Sequence, residues 1–412
     1  MPLFSVLASL GAALAPSASV AETLEIRNFV GSINWSNGPL SVDVKGKIGD
    51  LTVTDGSGTI IDGNINKIDR NACESSYGLF SFDWFGKKKD RRFGGYDSLK
   101  DYPVLNITLP ADTDLVIRNS IIFADGAPDV SKADIELPHC GLLNLGDVKN
   151  TLILEKRGSA DVTVRDTGQI EANLRGSGDF YGAQSGAVFL KSKGSGDVVL
   201  GSIRSLEMNV QGSADVEISD IEGDVEISSH GSGDIDLGSI GSLTMNVHGS
   251  AAVETSDIAG NVEISSHGSG DVVIGSIGSL AMNVHGSADV EISDIAGDAE
   301  ILSHGSGDME LGNIEGTFIF SGHGSGDLDV RSVAGGRLSL QSNSSGDIDI
   351  DGGDVDTLMI GVGGSAKVDY AGTAGTATLW TSGSGDIYVD QVRGAAETKT
   401  SGSGEIDIDK RG

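Results

Sequence analysis

The sequence predicts an all-β chain wound as a single-stranded right-handed parallel β-helix, and three observations predict it. Gly194 to His304 holds three consecutive 37-residue units that begin Gly-Ser-Gly-Asp, and the second and third agree at 28 of 37 positions. Each unit also carries a Gly-Ser-Ala version of the same start at its middle. Starts therefore fall at 158, 176, 194, 212, 231, 249, 268, 286, 305, 324, 344, 364, 383 and 402, with spacings of 18, 19 or 20. So short a fixed step marks a solenoid. Between starts, Val272 and Ile274 fall at alternate positions, Ile277 follows a Gly-Ser turn, and Leu280, Met282 and Val284 alternate again with small or polar residues. Period-2 apolar residues broken by Gly and Ser read as short strands with one buried face.

A coil of this length closes about one strand spacing, roughly 4.8 Å, further along, so each strand pairs in parallel with its counterpart in the next coil. The left-handed hexapeptide helix also has an 18-residue turn. It requires an aliphatic residue at every sixth position, which the inward series 272, 274, 277, 280, 282, 284 lacks. The right hand is the usual one for parallel crossovers. By parity Gly268 and Gly270 point inward with Val272, placing two side-chain-free positions at a coil corner. One coil buries about six aliphatic groups, worth roughly 1.5 to 3 kcal/mol each, against roughly 1.5 kcal/mol of ordering entropy per residue. Stacking has to supply the difference.

Residues 1–21, MPLFSVLASLGAALAPSASVA, contain no charged side chain and end in the small-residue exit Ser19-Val20-Ala21. They read as a secretory signal peptide cleaved before Glu22, although the usual basic start is missing. No later stretch reaches the length of a membrane-spanning helix, so an exported chain is expected, in the periplasm, at the outer membrane or outside the cell. Cys73 and Cys140 fit that compartment as one disulfide.

Residues 22–68 continue the strand grammar as irregular first coils. Residues 69–102 break it. Tyr77, Phe80, Phe82, Trp84, Phe85, Phe93 and Tyr96 crowd there with Lys87, Lys88, Lys89, Arg91 and Arg92, in a chain whose net charge is −32. Aromatic faces suit sugar rings and the cations suit carboxylate or phosphate. Trp84, Phe85, Lys87, Lys88, Lys89, Arg91 and Arg92 are therefore the candidate ligand-binding residues; the structural alternative is a loop packed on the rod. From residue 103 to 412 the repeat runs on. The closing EIDIDKRG leaves alternating charge on an open sheet edge, which discourages end-to-end pairing. A monomer or weak oligomer is expected.

Stacked coils turn sequence columns into surface ladders. The residue before Gly-Ser is Arg157, Arg175, Lys193 and Gln211, then His230, His248, His267, His285, His304 and His323, which is six of the chain's seven histidines. Neutral imidazoles stack at this spacing and charged ones repel, so the column should protonate progressively. The Asp after the Gly-Ser pair makes a second column, interrupted at Ala252 and Lys367. Like charges at that spacing cost roughly 0.9 kcal/mol per neighbour in water, which favours a diffuse cation cloud. The Gly-Gly-x-Gly-x-Asp nonapeptide of calcium-binding β-rolls is absent, and no metal or cofactor is assigned. The acidity argues against nucleic acid. His267, Ser269 and Asp271 hold the residue types of a hydrolase triad, but alternate positions of one strand lie roughly 7 Å apart. No catalytic set is assigned.

The repeated Gly-Ser-Gly-Asp coils, the opening FVGSINW and the entry LNITLPADTDLVIRNS resemble the autotransporter adhesin head family, also called the head GIN domain. The resemblance runs over roughly 22–412. It implies a right-handed parallel β-helix in an exported or surface protein, with no catalytic residues to transfer. The expected function is a non-catalytic, adhesin-like binding or structural rod at the cell envelope, with polysaccharide as the ligand class. The alternatives are a β-helical carbohydrate-active enzyme, which builds a cleft from non-repeating carboxylates, and a cation-binding repeat protein.

Overall fold

A computed structural model describes residues 22–46, 50–56, 58–65, 73 and 102–412. The alternation of aliphatic and polar residues becomes a parallel β-solenoid of about 16 turns, with 64% of the described residues in strands. At one strand spacing per turn the rod is roughly 75 Å long. A turn in its middle consists of the three-residue strand Val198–Leu200, a Gly-Ser bend, the eight-residue strand Ile203–Val210 and the Gly-Ser corner that leads to the next short strand. Val198–Leu200 pairs in parallel with Phe180–Gly182 and Val216–Ile218, and Ile203–Val210 pairs with Ser185–Ser192 and Ile221–Ser229.

The inward series lines the axis. Val272, Ile274, Ile277, Leu280, Met282 and Val284 are none of them more than 4% exposed, and a single apolar cluster runs from Leu24 to Ile408. Such a core is only one or two side chains thick, so each turn depends on its neighbours for most of its burial.

The 37-residue unit has a local cause. From the isoleucine that opens the long strand to the next inward aliphatic, the step is three residues in Ile203–Leu206, Ile240–Leu243 and Ile277–Leu280. It is four in Ile221–Val225 and Ile258–Val262. The extra residue bulges at a corner and leaves the register on either side intact. Turns of 18 and 19 residues therefore alternate. Across this corner Ser242 Oγ donates to Asp224 Oδ1 at 2.6 Å, and Ser279 Oγ to Asn261 Oδ1 at 2.8 Å.

At the Gly-Ser corner the ladder continues without interruption: His285 N–H donates to Ser266 O at 2.8 Å and Ser287 N–H to Gly268 O at 3.1 Å. A Cβ on Gly286 would fall 1.7 Å from the carbonyl oxygen of Gly268. Close approach of stacked backbones, anticipated from parity, is thus the reason for glycine there.

The N-terminal end departs from simple winding. Thr23–Arg27 and Val30–Asn37 lie between two later segments: Thr59–Asp62 with Val104–Leu109 on one side, and Asp114–Arg118 with Ile121–Asp125 on the other. The first strands in the chain therefore build the second turn of the rod. Two antiparallel strands close the outer edge, Thr52–Asp55 on Thr59–Asp62 and Ser41–Lys45 on Val104–Leu109. This polar cap covers an edge that parallel pairing would leave open. At the other end Ala396–Thr400 and Ile406–Arg411 form the last turn, largely exposed.

Candidate functional surfaces

The histidine column is a stack of rings. His230, His248, His267, His285, His304 and His323 are exposed, with successive ring centroids 4.7 to 4.9 Å apart and planes within 11° of parallel. Each imidazole leaves a long strand where the Gly-Ser corner begins, so one turn sets each ring directly over the last. His285 is held below the ordinary histidine value, first by desolvation within the stack and then by the charges of His267 and His304. Beside the column runs a shallow groove, lined on its far side by Ser195, Ser213, Ser232, Ser250 and Ser269 and at its head by Lys193.

Parallel rings at this spacing do not converge on a point. Two imidazole nitrogens that far apart cannot both lie at about 2.0–2.1 Å from one zinc ion. Among the described residues no three His, Cys, Asp or Glu side chains form a metal-holding group.

The aspartate column has a role that counting positions does not reveal. The carboxylate of each Asp accepts the backbone N–H of its counterpart one turn on. Asp161 takes the amide of Asp179, Asp179 that of Asp197, Asp289 that of Asp308 and Asp308 that of Asp327, at 2.8 to 3.0 Å. These aspartates stitch the corner together, as well as contributing charge. Ala252 leaves one stitch out: its own amide is received by Asp234 at 3.2 Å, and it offers no carboxylate to Asp271.

A further acidic column occupies the outward centre of the short strands, where Glu217 pairs with Asp236, Asp236 with Glu254, Glu291 with Glu310 and Glu310 with Asp329. Desolvation, followed by neighbouring carboxylates such as Asp327 and Glu310, raises Asp329 above the ordinary aspartate value. Asp349 is raised too, again first by desolvation.

Sequence reasoning passed over Lys156. It lies in an inward column between Leu137 and Leu174, is 1% exposed, and donates from Nζ to the carbonyl oxygens of Gly178 and Asp179. Burial lowers it to about 8, against the opposing pull of Asp161 and Asp179. The signal was present in Leu152-Ile153-Leu154-Glu155-Lys156, where inward parity falls on the lysine.

Cys73 and Cys140 are joined, with Cα atoms 5.7 Å apart. Cys140 packs with Val30 and Ile121, and Ile65, Cys73, Tyr102 and Phe123 lie against them. The two ends of the aromatic and basic segment are thus fixed to one flank near the N-terminal end. The candidate residues Trp84, Phe85, Lys87, Lys88, Lys89, Arg91 and Arg92 lie outside the described residues, as does the 1–21 segment. Among the described residues no helix is long and apolar enough to cross a membrane.

A rod that repeats one side chain per turn along each face defines a class of protein, the β-solenoids that present linear arrays on their surface. Residues 147–257 and 319–411 match the family described as "Putative auto-transporter adhesin, head GIN domain". The chain belongs to that family. No curated protein and no solved structure matches it.

Proposed function

We propose that this protein is an exported, non-catalytic, adhesin-like rod with a binding or structural role at the cell envelope or surface. The observation that carries the reading is the repetition of outward columns, turn upon turn, along a solenoid whose chain matches an adhesin head family. An array of equivalent positions suits a repetitive polymer, because weak contacts made in register sum to avidity. An enzyme site needs unlike groups converging on one substrate atom, whereas neighbouring turns here offer near copies of one another. The charged aromatic segment fixed by Cys73 and Cys140 is the natural recognition element, and its chemistry fits a polysaccharide.

Cell fractionation with external protease tests the placement. Cleavage on intact cells is expected, and confinement to the cytoplasm would refute the reading. For the ligand, replacement of Lys87, Lys88, Lys89 and Arg91 by Ser should weaken binding to isolated envelope polysaccharide at least about tenfold, equivalent to about 1.4 kcal/mol. Release of reducing or unsaturated sugar ends by the purified protein would instead establish an enzyme.

A further inference from the structure

The rod carries two ladders of opposite potential charge, and both have the same pitch because the same turns build them. The imidazoles of His230 to His323 repeat every 4.7 to 4.9 Å. Glu217, Asp236, Glu254, Glu291, Glu310 and Asp329 repeat once per turn on a different face, Val273 being the one interruption, and the column continues through Asp349 and Asp369. We propose that these two faces are a self-association surface: in mild acid the histidine ladder of one rod docks along the short-strand carboxylate ladder of a second copy, giving side-by-side assembly.

The geometry favours a second copy as the partner. Two rods laid side by side and offset by a whole number of turns keep imidazolium opposite carboxylate wherever the six-ring ladder overlaps the acidic one, except at Val273. A partner of unrelated pitch would fall out of register within a few turns. On its own chain the charge is left over, since none of the ion pairs among the described residues involves these six rings.

The charged groups around the column are Glu226, Glu263 and Glu300 on the same long strands, four residues before a histidine. Asp234, Asp271, Asp289, Asp308 and Asp327 follow four residues after one, and Arg175 and Lys193 stand at the head. All five of those aspartates already accept an amide of the next turn.

Near neutrality, with histidine counted as neutral, the net charge of −32 keeps copies apart. In mild acid, below the ordinary histidine value and above the ordinary carboxylate value, both ladders carry charge, in a window that the lowered His285 and the raised Asp329 narrow from either side. Each exposed pair is weak on its own. Repetition along the rod makes the contact multivalent. Donor and acceptor faces differ, so the contact is heterologous and propagates beyond a dimer.

Sedimentation velocity on the mature chain, in chelator and at low salt, tests this. The average mass should rise several-fold between about pH 7.5 and about pH 5.5, and should fall back in about 0.5 M salt, where screening is short-ranged. Replacing all six histidines by Gln, the residue that Gln211 already supplies in this column, should abolish the rise. So should Glu217→Gln, Asp236→Asn, Glu254→Gln, Glu291→Gln, Glu310→Gln and Asp329→Asn made together with Asp349→Asn and Asp369→Asn, which continue the same column. The two variants mixed should associate with each other. A wild type of unchanged mass at about pH 5.5, a histidine-free variant that assembles like wild type, or a mixture that stays dispersed would each overturn the proposal.

Discussion

Lys156 shows how one side chain sets a pH dependence. Its folded value is lowered to about 8 by burial, against about 10.4 in an unfolded chain. As pH rises from about 8 toward 10.4 the folded state gives up its proton first. The unfolded state then binds more protons, and stability rises by about 3 kcal/mol. The gain is lost again as pH falls back through 8. Lys156→Met should flatten this part of the profile, measured by urea denaturation between about pH 7.5 and 10, and a slope unchanged from wild type would refute the assignment. The inward place of Lys156 was legible from strand parity. Its carbonyl partners were not, because Gly178 and Asp179 belong to the next turn and only stacking brings them near. The amide stitch of each aspartate was hidden for the same reason: parity says that Asp308 points outward, and nothing in the string of letters says that the carboxylate bends back to the amide of Asp327.

At the scale of one turn the controlling element is the Gly-Ser corner. Its glycine column could be read from the sequence, since parity placed Gly268 and Gly270 inward. The structure adds the distance that makes the constraint hard. Gly286→Ala would drive a methyl into Gly268 O, and two backbones would have to separate. A loss of about 3 kcal/mol or more is expected, within the range of overpacking in a rigid core and above. Thermal unfolding measures it, and a shift no larger than that of a surface change such as Ser287→Ala would contradict the close approach. The bulge that makes turns of 18 and 19 residues alternate was visible only as uneven spacing. Its location at Ile221–Val225 follows from pairing register, which sequence periodicity does not encode.

For the whole molecule, the solenoid and its axis were legible because the repeat is strict from Gly158 onward. The order of turns at the N-terminal end was not. Strands such as Thr23–Arg27 show ordinary alternation, and nothing in that alternation names their neighbours. The columns also predict a response to salt. Carboxylates one strand spacing apart repel through water, and the screening length falls from about 30 Å to about 8 Å between 0.01 and 0.15 M salt. The urea midpoint at pH 7.5 should therefore rise over that range. A midpoint independent of salt would show that the acidic faces contribute nothing to stability.

The insertion of the first strands between later ones has a consequence for synthesis. A chain that emerges N-terminus first delivers Thr23–Asn37 before either of its flanking partners exists. One flank needs Thr59–Asp62 and Val104–Leu109, and the other needs Asp114–Arg118 and Ile121–Asp125. Thr23–Arg27 gains a first partner in Thr59–Asp62, but Val30–Asn37 must wait, unpaired, until Val104–Leu109 has followed it. Only then can the Cys73–Cys140 bond lock the finished start in place.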